Sequence, residues 1–193
     1  MAAGILAAML RLTLDTNCII HAAQAQHYGP QVDELAEHGR VGRVGLWITT
    51  AFKVDQDRAS DDNRQRNLAW LSQRPTIGTI PGPWRVGYSG LEGPDGFTDP
   101  DHADADLALR EIILPEELQR GRLDEHDPAQ LARNRRKVTD VQHLTAHLMA
   151  GHDAFVTDDH DDMLDNVDAI RRRTGIVVID PAEAVQLVQG QDA

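Results

Sequence analysis

The chain has 193 residues, of which 41% are hydrophobic and 26% charged, a composition typical of one globular domain with a generous insertion. The single cysteine, Cys18, excludes an intramolecular disulfide framework and a multi-cysteine metal site, which favours a reducing, cytoplasmic compartment. The formal net charge of −12 argues against coating nucleic acid by bulk attraction, although acids clustered around a cation would still suit an enzyme. No apolar run reaches the ~18 residues of a membrane helix, and the apolar opening lacks the basic residues of a signal peptide.

In the first part of the chain, short apolar runs alternate with segments whose apolar residues recur at helical spacing. Two buried strands are predicted from the apolar runs, Leu12–Leu14 and Val44–Ile48. Three helices are predicted around them: one that Gly39 ends, one that Thr49 or Thr50 begins and that contains Asp55, and one that closes before Pro75.

The composition changes between Pro75 and Pro100, where five prolines and six glycines fall within 26 residues. No long helix is expected at that density of helix-breaking residues. A strand over Ile77–Ile80 is predicted, followed by a loop. Trp84 and Tyr88 of this loop could stack on bases, and Trp84 could equally anchor the loop onto the core. We interpret residues 75–130 as an insertion or long loop region, with a short helix or strand at 107–114, within one domain of residues 9–193.

In the last third of the chain, predicted strands again alternate with predicted helices. Two strands are predicted, Ala154–Val156 and Ile176–Ile179. Three helices are predicted around them: one from Pro128 or Thr139 to Met149, one from Met163 to Arg172, and one over Ala182–Val188. Strands that alternate with helices predict an α/β fold, a three-layer α/β/α sandwich around a central parallel sheet.

Acidic residues follow two of the predicted strands, and ligands of parallel sheets bind beyond the carboxyl ends of strands. Asp15 follows the first strand and Asp159 the strand that ends at Val156. Asp140, expected near the N-terminus of its helix, can reach the same cleft. Three converging carboxylates repel one another unless one is protonated or a cation joins them. Oxygen ligands of this kind suit Mg²⁺ or Mn²⁺, which activate water at a phosphodiester.

Simpler interpretations exist for most of these polar residues. An aspartate after a strand is often only a helix cap, and the neighbouring acids Asp158, Asp161 and Asp162 can be solvated caps, with Asp161 the best placed of the three to help a metal. His143 and His147 have a zinc-binding spacing, but no glutamate lies between them, so we interpret them as surface or cleft-edge histidines.

The candidate contacts to phosphate groups near the cleft are basic side chains, which are otherwise expected on solvated faces. They are Arg136 and Lys137, just before Asp140 in the sequence, and Arg64 and Arg66.

Four segments resemble the motifs of PIN domains, the nucleases that include toxins of many bacterial toxin–antitoxin pairs. They are Leu14-Asp-Thr-Asn-Cys-Ile-Ile20, Asp140-Val-Gln-His-Leu-Thr-Ala146, Phe155-Val-Thr-Asp-Asp-His-Asp161 and Gly175-Ile-Val-Val-Ile-Asp-Pro181. The resemblance covers both ends of the chain. It implies a PIN-like, Rossmann-like fold and a ribonuclease dependent on Mg²⁺ or Mn²⁺. The partners it implies are an RNA substrate, an antitoxin-like protein and a second copy of the chain.

The resemblance also assigns roles to individual residues. Asp15, Asp140 and Asp159 would bind the metal, and Thr16, Asn17 and Thr157 would support them through hydrogen bonds. The family usually carries a glutamate six residues beyond a Ser or Thr after its second strand. Counting from Thr49 gives Asp55, a shorter acid, with Asp57 as the alternative.

Two other functions remain open at this point. The chain could be a non-catalytic PIN-like module that binds RNA or protein, which the acidic net charge and the insertion would allow. A haloacid-dehalogenase-type phosphatase is a weaker alternative, because it needs a second aspartate where this chain has Asn17. A receiver domain would need an early acidic pair and a late lysine at a strand end, which we do not find.

Overall fold

The computed structural model describes residues 9–83, 100–114 and 128–192. Its strands are β1 (Leu10–Leu14), β2 (Val44–Thr49), β3 (Ile77–Ile80), β4 (Ala154–Val156) and β5 (Val178–Ile179). Its α-helices are α1 (Thr16–Ala23), α2 (Gly29–Arg40), α3 (Ala51–Arg58), α4 (Asp61–Ser72), α5 (Pro100–Ile113), α6 (Pro128–Ala150), α7 (Val167–Thr174) and α8 (Pro181–Gln189). Trp84 and Tyr88, expected to stack on bases, lie outside the described residues.

The five strands form one parallel sheet in the order β3-β2-β1-β4-β5. The chain moves outward from β1 to β3, then returns to the other side of β1 to add β4 and β5. The direction of strand addition therefore reverses between β1 and β4, and a crevice opens at the carboxyl ends of these two strands.

The side chains of the sheet alternate between two hydrophobic cores. Leu12, Leu14 and Leu46 point to the face that α1, α2 and α8 cover. Phe155 points to the opposite face, where it packs in one cluster with Leu144 of α6 and other residues of α5 and α7. The predicted three-layer α/β/α sandwich with a central parallel sheet is thus confirmed.

One helix begins earlier than the sequence pattern predicted, and another begins at the earlier of its two predicted starts. α5 is a regular helix from Pro100, not a short element at 107–114, and α6 runs unbroken from Pro128. Proline at a first helical position is already fixed in helical geometry, which explains both starts. The expectation that Asp140 lies near the N-terminus of its helix is therefore wrong, because it lies midway along α6. Within the described part of the chain, no helix is both long and apolar enough to cross a bilayer.

Trp47 of β2 lies over two glycines of the sheet. A Cβ atom added to Gly78 would lie 2.5 Å from Trp47 Cδ1, and one added to Gly45 would lie 2.3 Å from its Cη2. The indole also packs against the tilted ring of His152, with centroids 4.3 Å apart and planes inclined by 41°, so it has little freedom to move away.

Gly78→Ala should therefore lower the free energy of unfolding by about 1–3 kcal/mol, the usual cost of overpacking. Urea unfolding of the purified chain measures the change. Gly190→Ala is the control, because, apart from its chain neighbours and local helix backbone, no atom of residues 9–83, 100–114 or 128–192 lies within 4 Å of its added Cβ and its φ is −68°. Equal effects of the two substitutions would show that the indole moves without cost.

Candidate metal centre

Asp15 is fixed where β1 ends, beside the end of β4. The register pairs Leu14 with Val156, and the Asp15 backbone N–H donates to the Val156 carbonyl at 2.9 Å. Asp15 Oδ2 accepts a hydrogen bond from the Thr157 hydroxyl at 2.7 Å, and Oδ1 accepts one from the Thr16 N–H at 2.7 Å. Asp15 is therefore the N-cap of α1, and its carboxylate is also oriented by the neighbouring strand.

Asp159 lies in the turn after β4 and is held from three sides. Its backbone N–H donates to Thr157 Oγ1 at 3.0 Å, and its Oδ1 accepts from the Asp162 N–H at 3.0 Å. Arg136 of α6 donates to Asp159 Oδ2 at 3.3 Å. One carboxylate oxygen from each of Asp140, Asp159 and Asp162 lies within 4.8 Å of the others. These three acids form a compact group with the spacing of metal ligands.

Asp140 is buried on α6, with 7% of its surface exposed, and its Oδ2 has no hydrogen-bond partner among the residues that the structure describes. Burial, together with the charges of Asp15 and Asp159, raises the pKa of Asp140 well above its ordinary value. A buried carboxylate oxygen without a partner is costly unless a proton or a cation satisfies it. The residues present therefore fit a divalent cation with oxygen ligands.

His143, one turn along α6 from Asp140, links three elements beneath the acids. Its Nε2 is 3.0 Å from Asp55 Oδ2 and its Nδ1 is 2.7 Å from Thr49 Oγ1. The Thr16 hydroxyl donates to the same Asp55 oxygen at 2.7 Å. Because a carboxylate can only accept, His143 Nε2 must carry the proton in this contact. Asp55 is thus oriented by the two groups that hold its Oδ2.

His143 affects the pKa values of the neighbouring acids to different extents. Burial favours the neutral imidazole, but the hydrogen bond and charge of Asp55 outweigh it and raise the pKa of His143. Burial likewise opposes ionisation of Asp55, yet His143 and Thr16 leave the pKa of Asp55 below its ordinary value. For Asp15, burial prevails over His143 and Thr157, and its pKa is raised. An ionised, oriented Asp55 therefore lies beside two carboxyls that resist ionisation without a cation.

The acids open into a cleft of about 290 Å³. Asp15, Asp55 and Asp140 line it, with Thr16, Asn17, Ile20, Arg58 and Arg136. Burial lowers the pKa of Arg136, but Asp140 and Asp159 outweigh this and raise it, which keeps the guanidinium charged. Arg58 donates to the Thr139 hydroxyl and lies 3.8 Å from Asp55 Oδ1. Carboxylates thus line the floor of the cleft, and two arginine side chains lie beside them.

Several candidate residues lie away from this cleft, and others make contacts different from those expected. Asp57 and Asp161 are exposed, and Asp162 rather than Asp161 joins the acid group. Lys137 bonds to Asp162. Arg64 pairs with Asp61 on α4, and neither it nor the exposed Arg66 lines the cleft.

The interpretation of His143 and His147 as surface or cleft-edge residues is wrong. His143 is 0% and His147 2% exposed, because α6 turns both rings onto the sheet face that carries Phe155. Three participants in the site were missed or undervalued: His143, Asp162 and Arg58. His143 and Arg58 each follow a recognised acid by three residues on the same helix, which is the spacing of neighbours on one helical face.

No protein-family model matches this chain, and no curated protein matches it significantly.

Proposed function

We propose that this chain is a PIN-type ribonuclease that hydrolyses RNA phosphodiester bonds with Mg²⁺ or Mn²⁺. The observation that carries the proposal is Asp140 Oδ2, a buried and unpartnered carboxylate oxygen within a group of acids at the crevice of a parallel sheet. Ordinary helix caps are satisfied by backbone N–H groups, as Asp15 Oδ1 is. Asp140 caps no helix, so a structural role does not account for its position.

The proposed roles follow from what each acid already contacts. Asp15, Asp140 and Asp159 would hold the ion, because Asp140 lies in one acid group with Asp159 and lines the cleft with Asp15. Asp162 belongs to the same acid group as Asp140 and Asp159 and could add an oxygen. Thr157 donates to Asp15 and orders the turn that carries Asp159, so its hydroxyl fixes two of the three ligands. Outer contacts of this kind set ligand orientation and ligand basicity in metal sites.

The chemistry supplied by a bound Mg²⁺ or Mn²⁺ would be activation of water and stabilisation of charge on the phosphodiester. Asp55 would contribute a fixed negative charge at the edge of the cleft, because His143 and Thr16 already hold its Oδ2. Arg136 and Arg58 would bind the phosphates that flank the scissile bond, since both arginines line the cleft.

The choice of RNA and of partners rests on the motif resemblance. It extends the proposal to an antitoxin-like protein or a second copy of the chain as partner, and to a cytoplasmic location. The net charge of −12 is compatible with this assignment because the substrate would meet Arg58 and Arg136 locally. Strong salt dependence of substrate binding is expected from such phosphate contacts.

Incubating the tag-free chain with a mixture of labelled RNAs and Mn²⁺ tests the proposal. We expect cleavage that excess chelator abolishes and that restored Mn²⁺ or Mg²⁺ recovers, because deprotonated carboxylates alone cannot supply this chemistry. Asp15→Asn should lose the activity, whereas Asp57→Asn, an exposed aspartate on the same helix as Asp55, should retain it.

The same assay separates the alternatives. RNA that is bound but not cleaved under any metal condition would favour the non-catalytic module. Hydrolysis of a phosphomonoester without RNA cleavage would favour the phosphatase. Cleavage that resists chelation and survives in Asp15→Asn would overturn the proposed site.

A further inference from the structure

A second group of potential metal ligands lies outside the acidic cleft. One donor atom from each of His21, His27 and Asp158 lies within 4.8 Å of the others, and none of the three lines the cleft. Both imidazoles face the same carboxylate oxygen. His21 Nδ1 is 3.0 Å and His27 Nδ1 3.8 Å from Asp158 Oδ2.

The fold brings these residues together through a tight turn between α1 and α2. His21 lies in the last turn of α1, and Asp158 lies two residues beyond β4. His27 has a φ of +33°, an uncommon backbone conformation, which places its ring beside His21 with centroids 5.6 Å apart. A Cβ on Gly29 would lie 2.7 Å from the His21 carbonyl oxygen, so glycine permits this close return of the chain.

We propose that His21, His27 and Asp158 form a binding site for a transition-metal ion of the Zn²⁺ class, separate from the carboxylate cleft. Two imidazoles and one carboxylate are a ligand set that zinc sites use when a fourth position is left to water or another ligand. A tetrahedral site with bonds of about 2.0–2.2 Å has ligand separations of about 3.3–3.6 Å. The observed separations of 3.0 and 3.8 Å bracket that range.

The hydrogen bonding of His21 supports an ion rather than a simple histidine–aspartate pair. Its Nδ1 is buried and makes no hydrogen bond within the described part of the chain, although Asp158 Oδ2 lies only 3.0 Å away. Two polar atoms at this distance without a hydrogen bond between them are suitably placed to face a common third atom. The ion would tie the α1–α2 turn to the end of β4.

The two proposed sites differ in the metals they select. Imidazole ligands favour Zn²⁺, whereas the all-carboxylate cleft suits Mg²⁺ or Mn²⁺. Zinc binding at His21, His27 and Asp158 should therefore persist in millimolar Mg²⁺. It should also persist in Asp140→Asn, because Asp140 belongs to the other site.

The test is calorimetric titration of the tag-free chain with Zn²⁺ in excess Mg²⁺. We expect one Zn²⁺ per chain, bound at least tenfold more weakly in His21→Gln, His27→Asn and Asp158→Asn. The His27→Asn variant is the decisive one, because 61% of this side chain is exposed and asparagine tolerates positive φ. Zn²⁺ should also raise the melting temperature of the wild type by about 5 °C at saturation, and this rise should be lost in the variants.

His38→Gln controls for histidine binding in general, because His38 lies on α2 near a different acid, Glu34. It should leave the Zn²⁺ affinity unchanged. Absence of binding to the wild type, unchanged affinity in His27→Asn, an equal loss in His38→Gln, or loss in Asp140→Asn would each overturn the proposal. The RNA-cleavage assay is read separately, so the two sites can fail independently.

Discussion

Replacing Asp140 with asparagine should reduce Mn²⁺-dependent RNA cleavage by at least about 10³-fold, while the metal-free protein becomes more stable. Asparagine keeps the volume of the side chain but loses the charge that would hold a cation. If Asp140 served only the fold, cleavage would survive the substitution. The opposite signs of the two effects therefore distinguish a functional acid from a structural one.

The expected gain in stability follows from the raised pKa of Asp140. Burial and the neighbouring acids raise this pKa above its ordinary value, so the folded state retains a proton at pH values where the unfolded state has released it. Stability is consequently lost as pH rises from the ordinary pKa through the raised one. At neutral pH, Asp140→Asn should recover about 1 kcal/mol or more, because it removes a buried charge that the charges of Asp15 and Asp159 oppose. The gain should shrink in acid, where the wild-type carboxyl is protonated as well.

Urea unfolding in chelator gives the stability, and RNA cleavage in Mn²⁺ gives the activity. Asp161→Asn is the matched control, because it also removes one negative charge but does so at an exposed acid in the same turn as Asp159. It should leave cleavage within about twofold and stability within about 0.5 kcal/mol. An Asp140→Asn protein that cleaves RNA as the wild type does would exclude Asp140 from the reaction.

Much of the fold could be predicted because local signals agree with it. Apolar runs mark the strands, and Gly175 ends α7 with a φ of +79°, a conformation that glycine adopts readily. At α8, the Asp180 side chain accepts from the Glu183 N–H and Glu183 reaches back to Asp180, a reciprocal cap visible in the sequence. The start of α6 was harder to place, because a polar, arginine-rich segment precedes its apolar part.

The candidate site was predictable only in part. Asp15 and Asp159 follow strands, so the topology of a parallel sheet places them at one edge. His143 could not be placed, because its partners Asp55 and Thr49 are 88 and 94 residues away in the chain. A histidine in a helical pattern is compatible with either burial or exposure, and the long-range hydrogen bonds decide between them.

His147 should make the protein sensitive to acid. The ring is 2% exposed, packs edge-on against Phe155, and has its Nδ1 2.9 Å from Thr13 Oγ1. Among the described residues, no carboxylate forms a hydrogen bond or ion pair with this ring. Burial, with a smaller contribution from His152, lowers the pKa of His147 from 6.5 to about 3. The folded state therefore keeps this imidazole neutral over a pH range in which the unfolded chain protonates it.

The direction of the effect follows from the proton count. Between pH 6.5 and about 3 the unfolded state binds one more proton than the folded state at His147. The contribution of His147 to the free energy of unfolding is therefore fully present above pH 6.5 and decreases as the pH falls. His147 alone should lower the free energy of unfolding by about 2 kcal/mol between pH 7 and 5, and by about 4 kcal/mol by pH 3. Asp15 and Asp140, whose pKa values are raised, change stability in the opposite direction over the same range.

His147→Gln isolates the histidine because the other titrating groups are common to both proteins and cancel in the difference. Glutamine does not titrate and can still hydrogen-bond to Thr13, although losing the ring against Phe155 should cost about 1–2 kcal/mol at every pH. Urea unfolding at pH 7, 6 and 5 should therefore show the wild type losing its advantage as pH falls, with the gap closing by about 2 kcal/mol. His160→Gln, at an exposed position, should leave the wild-type pH dependence unchanged. Parallel stability curves for the wild type and His147→Gln would mean that His147 is protonated equally in the folded and unfolded states. That result would contradict the prediction, which rests on the burial of His147 against Phe155.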